Sequence, residues 1–487
     1  APPPPPLPPS LPPSPPPNAV LLPSESVAKQ NAITLITLSG VNIGPGDKAK
    51  WVPIGDPQGC DSGNATTTST LGEGDIGSFI FPVHGVYVLC YRFMHTRYLE
   101  WNLYPALRTA VMRLPERPMP FGSGVSCISN ITIHGAGFYA FGSETPSTLR
   151  CAWRAHGTTA AIIHDDTLLT CLTPTTLRVV GEPVLLSLLV VPEGSSTPWG
   201  ALKVTDSFQV FDVGAIHVVS SVVEGAPFNR MIDTTVIGTG FADYGAPACS
   251  FGGFLGNCGG VSPDGTSAIC GKPVFPNEER DTTGLIPVYF SPNGQCFPND
   301  LNQSSGFVIY NALVEKITVT GAPASSSVLL RIIGEGFPSP GFAGATCSFT
   351  MSGTNGTASL QRPASTVSGT ELHCATPASG RPNHWILSVL LNGITEVPSL
   401  YDPPTLTEYD LDLVRISSVM PPGGPVGEST TVTLFGSGFA NYGQDQLKCR
   451  AGESLLPGIL LDSSRVLCDL PAPSAIGTMS IGISLNN

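Results

Sequence analysis

ITIHGAGF (Ile131–Phe138), TTVIGTGF (Thr234–Phe241), LLRIIGEGF (Leu329–Phe337) and TVTLFGSGF (Thr431–Phe439) decide how this chain is read. Each is a β-branched or apolar run that ends in Gly-x-Gly-Phe. The four Gly-x-Gly-Phe marks lie 103, 96 and 102 residues apart. Each is followed by one cysteine (Cys151, Cys249, Cys347, Cys449) and, 19 to 27 residues later, by a second that opens Cys-x-x-Pro (Cys171, Cys270, Cys374, Cys468). A repeat of about one hundred residues with one cysteine pair has the size of a small β-sandwich. The motif reads as a strand end, where glycine supplies positive φ at a turn and the phenylalanine drops back into the core.

The rest of the chain agrees. Its 487 residues predict three to five domains. Charged residues are only 12%, against 54 glycines and 49 prolines, a composition of short strands and turns. A net charge of −13 argues against nucleic-acid binding and against attachment to anionic membranes. Thirteen cysteines, mostly in repeat-spaced pairs, point to an oxidising compartment. No apolar stretch reaches the roughly 18 residues that cross a bilayer. With no initial methionine and no visible signal peptide, the chain reads as a mature, processed, soluble product.

The repeats resemble IPT/TIG domains, the immunoglobulin-like modules of cell-surface receptors, some transcription factors and many secreted proteins. The marks are GAGF, GTGF, GEGF and GSGF, a middle strand such as CSFGG (Cys249–Gly253) and a late strand such as LTCLTP (Leu169–Pro174). The resemblance implies a fold and is nearly silent on function. The expected architecture is all-β: tandem Ig-like sandwiches in a rod, preceded by a polyproline II segment.

In chain order, residues 1–17 hold twelve prolines. Proline fixes φ and removes an amide donor, so this stretch is an extended rod or tail. A PxxP ligand, a linker and a substrate for prolyl hydroxylation and O-arabinosylation compete for it. The last is preferred, because Pro2–Pro6 and Ser14–Pro17 resemble blocks of extensin-like hydroxyproline-rich glycoproteins. The sites implied are Pro2, Pro3, Pro4, Pro5, Pro6, Pro8, Pro9, Pro12, Pro13, Pro15, Pro16, Pro17, Ser10 and Ser14. Residues 18–118 form a divergent Ig-like domain, with Trp51 beside a Cys60–Cys90 bridge as its core trio. The stretch from Arg92 to Arg113 is aromatic and locally basic, either an exposed packing surface or a buried seam. TIG-like domains follow at 119–212, 213–311, 312–404 and 412–487.

Within them the expected bridges are Cys151–Cys171, Cys249–Cys270, Cys347–Cys374 and Cys449–Cys468. Cys258 and Cys296 are expected to join a loop insertion to the final hairpin of the third domain. Cys127 is left without a partner, either buried and inert or cross-linking neighbours. Asn64, Asn130, Asn302 and Asn355 open the four glycosylation sequons. HWILSVLLNG (His384–Gly393) aligns with TMSIGISLNN (Thr478–Asn487), after which the fifth domain shows no final strand. An open edge invites a strand from outside. Either the natural chain continues past Asn487 or this strand is dispensable, or a neighbouring copy donates one, from Asn18–Val27 or from its proline-rich head.

No catalytic constellation is found, and no metal or cofactor is expected. His164-Asp165-Asp166 reads as a solvated loop, Asp410-Leu411-Asp412 as an inter-domain linker, and the glycines of Gly252–Gly260 lack a phosphate loop's lysine and helix. The combination resembles algal mastigoneme and cell-wall glycoproteins. It implies a secreted or cell-surface structural protein whose partners are further copies of itself and covalent N- and O-glycans, with no nucleic acid and no membrane insertion. The alternative is a receptor-like or adhesin ectodomain that binds a protein or glycan.

Overall fold

A computed structural model of the chain describes residues 22–23, 27–94, 100–114, 117–141, 147–192, 198, 200–275, 284–338, 341–352 and 359–486. The twelve prolines and two serines of the head, and Asn355, lie outside the described residues. The described chain is all-β. Its helical elements are short 3-10 turns.

Five sandwiches follow one another. The third and fourth have the same eight-strand order, which sets the template. In the fourth it runs Leu313–Ile317, Leu329–Glu335, Glu371–Ala375, Ser359–Ser368, Thr346–Met351, His384–Leu390, Thr405–Tyr409, Gly321–Pro323. The long strand Ser359–Ser368 turns the corner of the sandwich. Its first half pairs with Thr346–Met351 and its second half with Glu371–Ala375. The short Gly-Ala-Pro segment after the first strand crosses to the other sheet and pairs in parallel with the last strand, as Gly225–Pro227 does with Ser305–Tyr310. Period-two alternation fills the interior. Leu330 and Ile332 from one sheet meet Cys347, Phe349, Trp385 and Leu387 from the other. The second sandwich is a seven-stranded version of the same order, and the fifth has six strands.

The first sandwich departs from expectation. Trp51 is fully buried among Phe79, Phe81, Leu89 and Tyr91. The Cys60–Cys90 bridge lies on the other face of the strand Lys48–Pro53, with Val52, Val88 and Trp101. Neighbouring residues of a strand point to opposite faces, so Trp51 and Cys90, which pairs with Lys50, do not share a core. The expected trio is therefore two separate clusters.

The supposed donor segment is also spoken for in part. Val27–Lys29 pairs in parallel with Ala110–Met112, and Leu22–Pro23 pairs with Leu38–Ser39. Nor does the second sandwich begin cleanly at 119. Arg113 and Ala136 exchange backbone hydrogen bonds of 3.0 and 2.9 Å. The basic stretch ending at Arg113 thus runs from the last strand of the first sandwich into the seam with the second.

Six bridges are present among the described residues, and three expectations give way. Cys127, expected to be unpaired, joins Cys296 across 169 residues and two sandwiches. Cys258 therefore cannot bridge Cys296; it bridges Cys270, its direct cross-strand partner. Cys249 keeps a free thiol, with its sulfur 2.6 Å from that of Cys270. Cys151–Cys171, Cys347–Cys374 and Cys449–Cys468 each span one core.

Candidate functional site

The Gly-x-Gly-Phe motif does more than end a strand. Its second glycine carries the positive φ in all four copies, 90°, 75°, 69° and 73° at Gly137, Gly240, Gly336 and Gly438. The first glycine is needed for space. A Cβ at Gly135 would collide with the carbonyl of Arg113, just past the last strand of the first sandwich, and one at Gly238, Gly334 or Gly436 with that of His217, Leu313 or Arg415 on the first strand, each also meeting the ring of the motif's own phenylalanine. The second glycine packs at the carbonyl of Val111, in the last strand of the first sandwich, and in the other copies at those of Ala215, Asn311 and Leu413, on the linker before the first strand. The motif clamps each sandwich onto the chain entering it.

That clamp is half of a joint used between sandwiches two and three, three and four, and four and five. In each joint a glycine after the first strand of the upstream sandwich lies beneath an aromatic ring of the next. Gly122 lies under Tyr244, Gly225 under Phe342 and Gly321 under Tyr442, with no room for a Cβ. The same rings pack on the last residue of the upstream final strand. Tyr244 stacks on Phe211 at 5.2 Å and Tyr442 on Tyr409 at 5.0 Å, while Phe342 lies tilted against Tyr310 at 5.7 Å. Burial pushes the Tyr244 and Tyr442 hydroxyls above their ordinary pKa, and that of Tyr409 up to about 12. In two joints the backbone pairs directly: Phe121 N–H donates to Tyr244 O, and Thr320 N–H to Tyr442 O, each at 2.8 Å. An asparagine in the turn after the sixth strand completes the lock. Asn293 Nδ2 donates to Gly122 O at 3.0 Å and Asn392 Nδ2 to Gly225 O at 3.1 Å.

Short capped turns hold the linkers. Asp212 accepts from Gly214 N–H, and Asp410 from Asp412 N–H. Gln303 is buried and donates to the carbonyls of Val213, Gly214 and Ile216. Joint two–three adds the Cys127–Cys296 bridge. Asn293 Nδ2 also donates to Ser129 Oγ of the second sandwich at 2.9 Å.

The remaining sequence candidates have local roles. Asp166 accepts from the N–H groups of Gly137 and Tyr139, and lies 3.8 Å from His84 of the first sandwich. Asp165 accepts from Thr167, and its carboxyl is held below the usual range by those bonds. Gly252 and Gly253 form the two-residue turn of a hairpin, both at positive φ. Asn64, Asn130 and Asn302 are exposed. Asn130 lies at joint two–three, where its backbone and the Gln295 carboxamide bond reciprocally. The sulfurs of Cys249, Cys258 and Cys270 form the one group of three metal-capable side chains among the described residues. Two of the three are bridged, and burial pushes the Cys249 thiol up.

The joints were missed from the sequence. Their signal is faint: a glycine 13 residues before each Gly-x-Gly-Phe, an aromatic three to five residues past the motif phenylalanine, and Asn-Gly after the sixth strand of the third and fourth sandwiches.

The fifth sandwich differs at its edge. Ile481–Ser484 pairs with Lys448–Ala451, and no described strand lies on its other side. Pro421–Gly427, which holds the place of the Gly-Ala-Pro segment, has no strand partner among the described residues.

The IPT/TIG domain family matches residues 414–487. No curated protein matches the chain. Among solved structures, the plexin A4 extracellular region aligns over 94% of this chain at 10% identity and a TM-score of 0.36, and the chain spans 42% of its length. The I9–I11 tandem of titin aligns over 61% of this chain and 98% of its own, at 8% identity and a TM-score of 0.18. The FN1–FN3 domains of chicken CNTN1 align over 61% and 97%, at 10% and 0.22. Weak superpositions of this kind add nothing to the sheet order. The chain is an all-β array of sandwiches whose last one matches IPT/TIG.

Proposed function

We propose that this chain is a structural extracellular glycoprotein, a stiff rod of five sandwiches that assembles head to tail into a filament or surface appendage of the mastigoneme or cell-wall kind. The observation that carries the reading is the repeated joint. A receptor ectodomain or enzyme needs a site; a rod needs fixed angles between units, and three successive joints use the same glycine and aromatic contacts, two of them with an asparagine lock as well. One of them is also closed by a disulfide. Six bridges suit an oxidising compartment. The sequons and the proline-rich head would carry the glycan coat. On this reading the chain is not an enzyme.

Electron microscopy of the native secreted material tests it. Regular fibres with a repeat matching a five-sandwich rod are expected; dispersed single rods would end the filament reading. One observation favours a receptor-like second reading. A cleft of about 1060 Å³ opens between the third and fourth sandwiches, with Glu224 and Glu335 beside Phe337 and Phe342. Saturable binding of a glycan or protein by the single rod would move the function there.

A further inference from the structure

The third sandwich carries its bridge differently from its neighbours. In sandwiches two, four and five the two cysteines of the repeat join across the core, as Cys151–Cys171, Cys347–Cys374 and Cys449–Cys468. Cys249 and Cys270 hold the same places in the third. There Cys270 is bridged to Cys258 instead, and the Cys249 thiol is free.

Cys258 stands at one defined position of the repeat. It lies on Phe254–Gly259, the strand that turns the corner of the sandwich, directly opposite the second cysteine. The residue in that place is Ala161 in sandwich two, Ala364 in sandwich four and Gly458 in sandwich five. Sandwich five shows what the position touches: a Cβ at Gly458 would lie 3.1 Å from the Cys449 sulfur. A side chain ending in sulfur at this point therefore falls beside both repeat cysteines. The Cys249 sulfur lies 2.6 Å from that of Cys270 and 3.2 Å from that of Cys258. Cys270 has two sulfurs within reach and bonds one of them.

We propose that the third sandwich holds a two-state bridge, in which Cys249 and Cys258 exchange places on Cys270 and Cys258 becomes a modifiable thiol. The exchange is internal and needs no oxidant or reductant. The Cys249 thiolate attacks the Cys270 sulfur, so that the Cys249–Cys270 bond forms as the Cys258–Cys270 bond breaks. The electron pair of the broken bond leaves on Cys258, which takes up the proton that Cys249 gave up. The two states differ in what they show to solvent. With Cys258–Cys270 closed, the spare thiol is Cys249, which is fully buried, and burial keeps it protonated and unreactive. With Cys249–Cys270 closed, the sandwich has the bridge of its neighbours, and the spare thiol is Cys258, which is partly exposed. Exchange thus turns a sealed thiol into one that a reagent reaches. Because little Cys249 thiolate forms at neutral pH, the step belongs at the slow end of disulfide rearrangement, on the order of hours. Every group in it belongs to one sandwich, so the inference stands apart from the filament reading.

The test uses the full folded chain, with iodoacetamide as an irreversible trap over several hours, an acid quench and mass-spectrometric mapping of unreduced peptides. Label is expected to accumulate on Cys258, with the Cys249–Cys270 pair growing in step and the Cys258–Cys270 pair declining. Either pairing persisting alone and unchanged throughout, or label confined to Cys249, would overturn the proposal. Cys249→Ala removes the attacking sulfur and leaves the Cys258–Cys270 bridge; labelling of Cys258 is expected to be lost, and labelling at the wild-type rate would count against the exchange. Cys258→Ala restores the small residue of sandwiches two and four. It is expected to fold with a Cys249–Cys270 bridge and no free thiol in the third sandwich. If Cys249 and Cys270 both stay reduced in that variant, Cys249 does not reach Cys270 and the two-state bridge is excluded.

Discussion

The fourth and fifth sandwiches start from nearly the same pattern and end with different interiors. The core of the fourth holds twenty buried residues, and that of the fifth holds ten, with nine more only partly covered. The strands that correspond show why. In His384–Leu390, Trp385, Leu387 and Val389 are buried; in Ile481–Ser484 no residue is. In the fourth, Thr405–Tyr409 lies alongside and brings Leu406 and the buried Glu408. The Glu408 carboxylate accepts from Trp385 Nε1 at 2.8 Å and from Ser379 N–H at 3.1 Å. A sandwich core is made by its edge strands as much as by its central ones. Where the edge is open, aliphatic residues of equal hydrophobicity stay half in water.

The largest expected effect breaks this comparison at its centre. Leu387 and Ile481 occupy the same register, opposite Phe349 and Ala451. Leu387→Ala removes a side chain that is 2% exposed and is expected to cost about 3 kcal/mol. Ile481→Ala is expected to cost about 1 kcal/mol, because its cavity opens to solvent. Native-state hydrogen exchange, read separately over the two strands, checks both. Equal losses would mean that the fifth core is as closed as the fourth.

A middle-sized effect separates joint from core. Cys127→Ser opens the staple between sandwiches two and three and leaves the Tyr244 and Asn293 contacts in place. The joint is expected to lose roughly 2 kcal/mol, at the low end for a long closed loop because each sandwich keeps its own core. Small-angle scattering should show a broader angle distribution, while circular dichroism stays unchanged. Unaltered scattering would show that the non-covalent lock suffices.

A third effect sharpens the comparison through pH. Lys272 is buried in the third sandwich, where its ammonium donates to the carbonyls of Pro227, Phe228 and Arg230. Burial pushes its pKa down to about 8. In the unfolded chain it stays protonated to about 10.4. Between these values the unfolded state binds more protons, so stability rises with pH. The melting temperature of wild type, relative to Lys272→Met, is expected to climb from pH 8 to about pH 10 and to be level below pH 7. A flat difference would mean that the three carbonyls hold the ammonium at its ordinary pKa.

Much of the fold was legible because its determinants are local. The Gly-x-Gly-Phe copies mark strand ends, since positive φ at Gly137, Gly240, Gly336 and Gly438 is a demand that the backbone makes on one residue. Alternation in Leu329–Glu335 announces a strand with one buried face. The choice between cysteine partners was not legible. Cys258 and Cys249 are both within reach of Cys270, and Cys127 and Cys296 stand 169 residues apart in different repeats. Repeat alignment therefore paired cysteines within a sandwich and left Cys127 alone.

The amino-acid sequence by itself determined the repeat, its length, its all-β character and the oxidised setting, because turn glycines, strand periodicity and cysteine number act over a few residues. Only the tertiary structure decided that Trp51 and Cys90 face apart, that Cys127 staples two sandwiches, and that Gly122, Gly225 and Gly321 are sockets for the next unit's rings. These depend on which surfaces meet across long stretches of chain. That is a matter of packing in three dimensions, which no spacing along one dimension encodes.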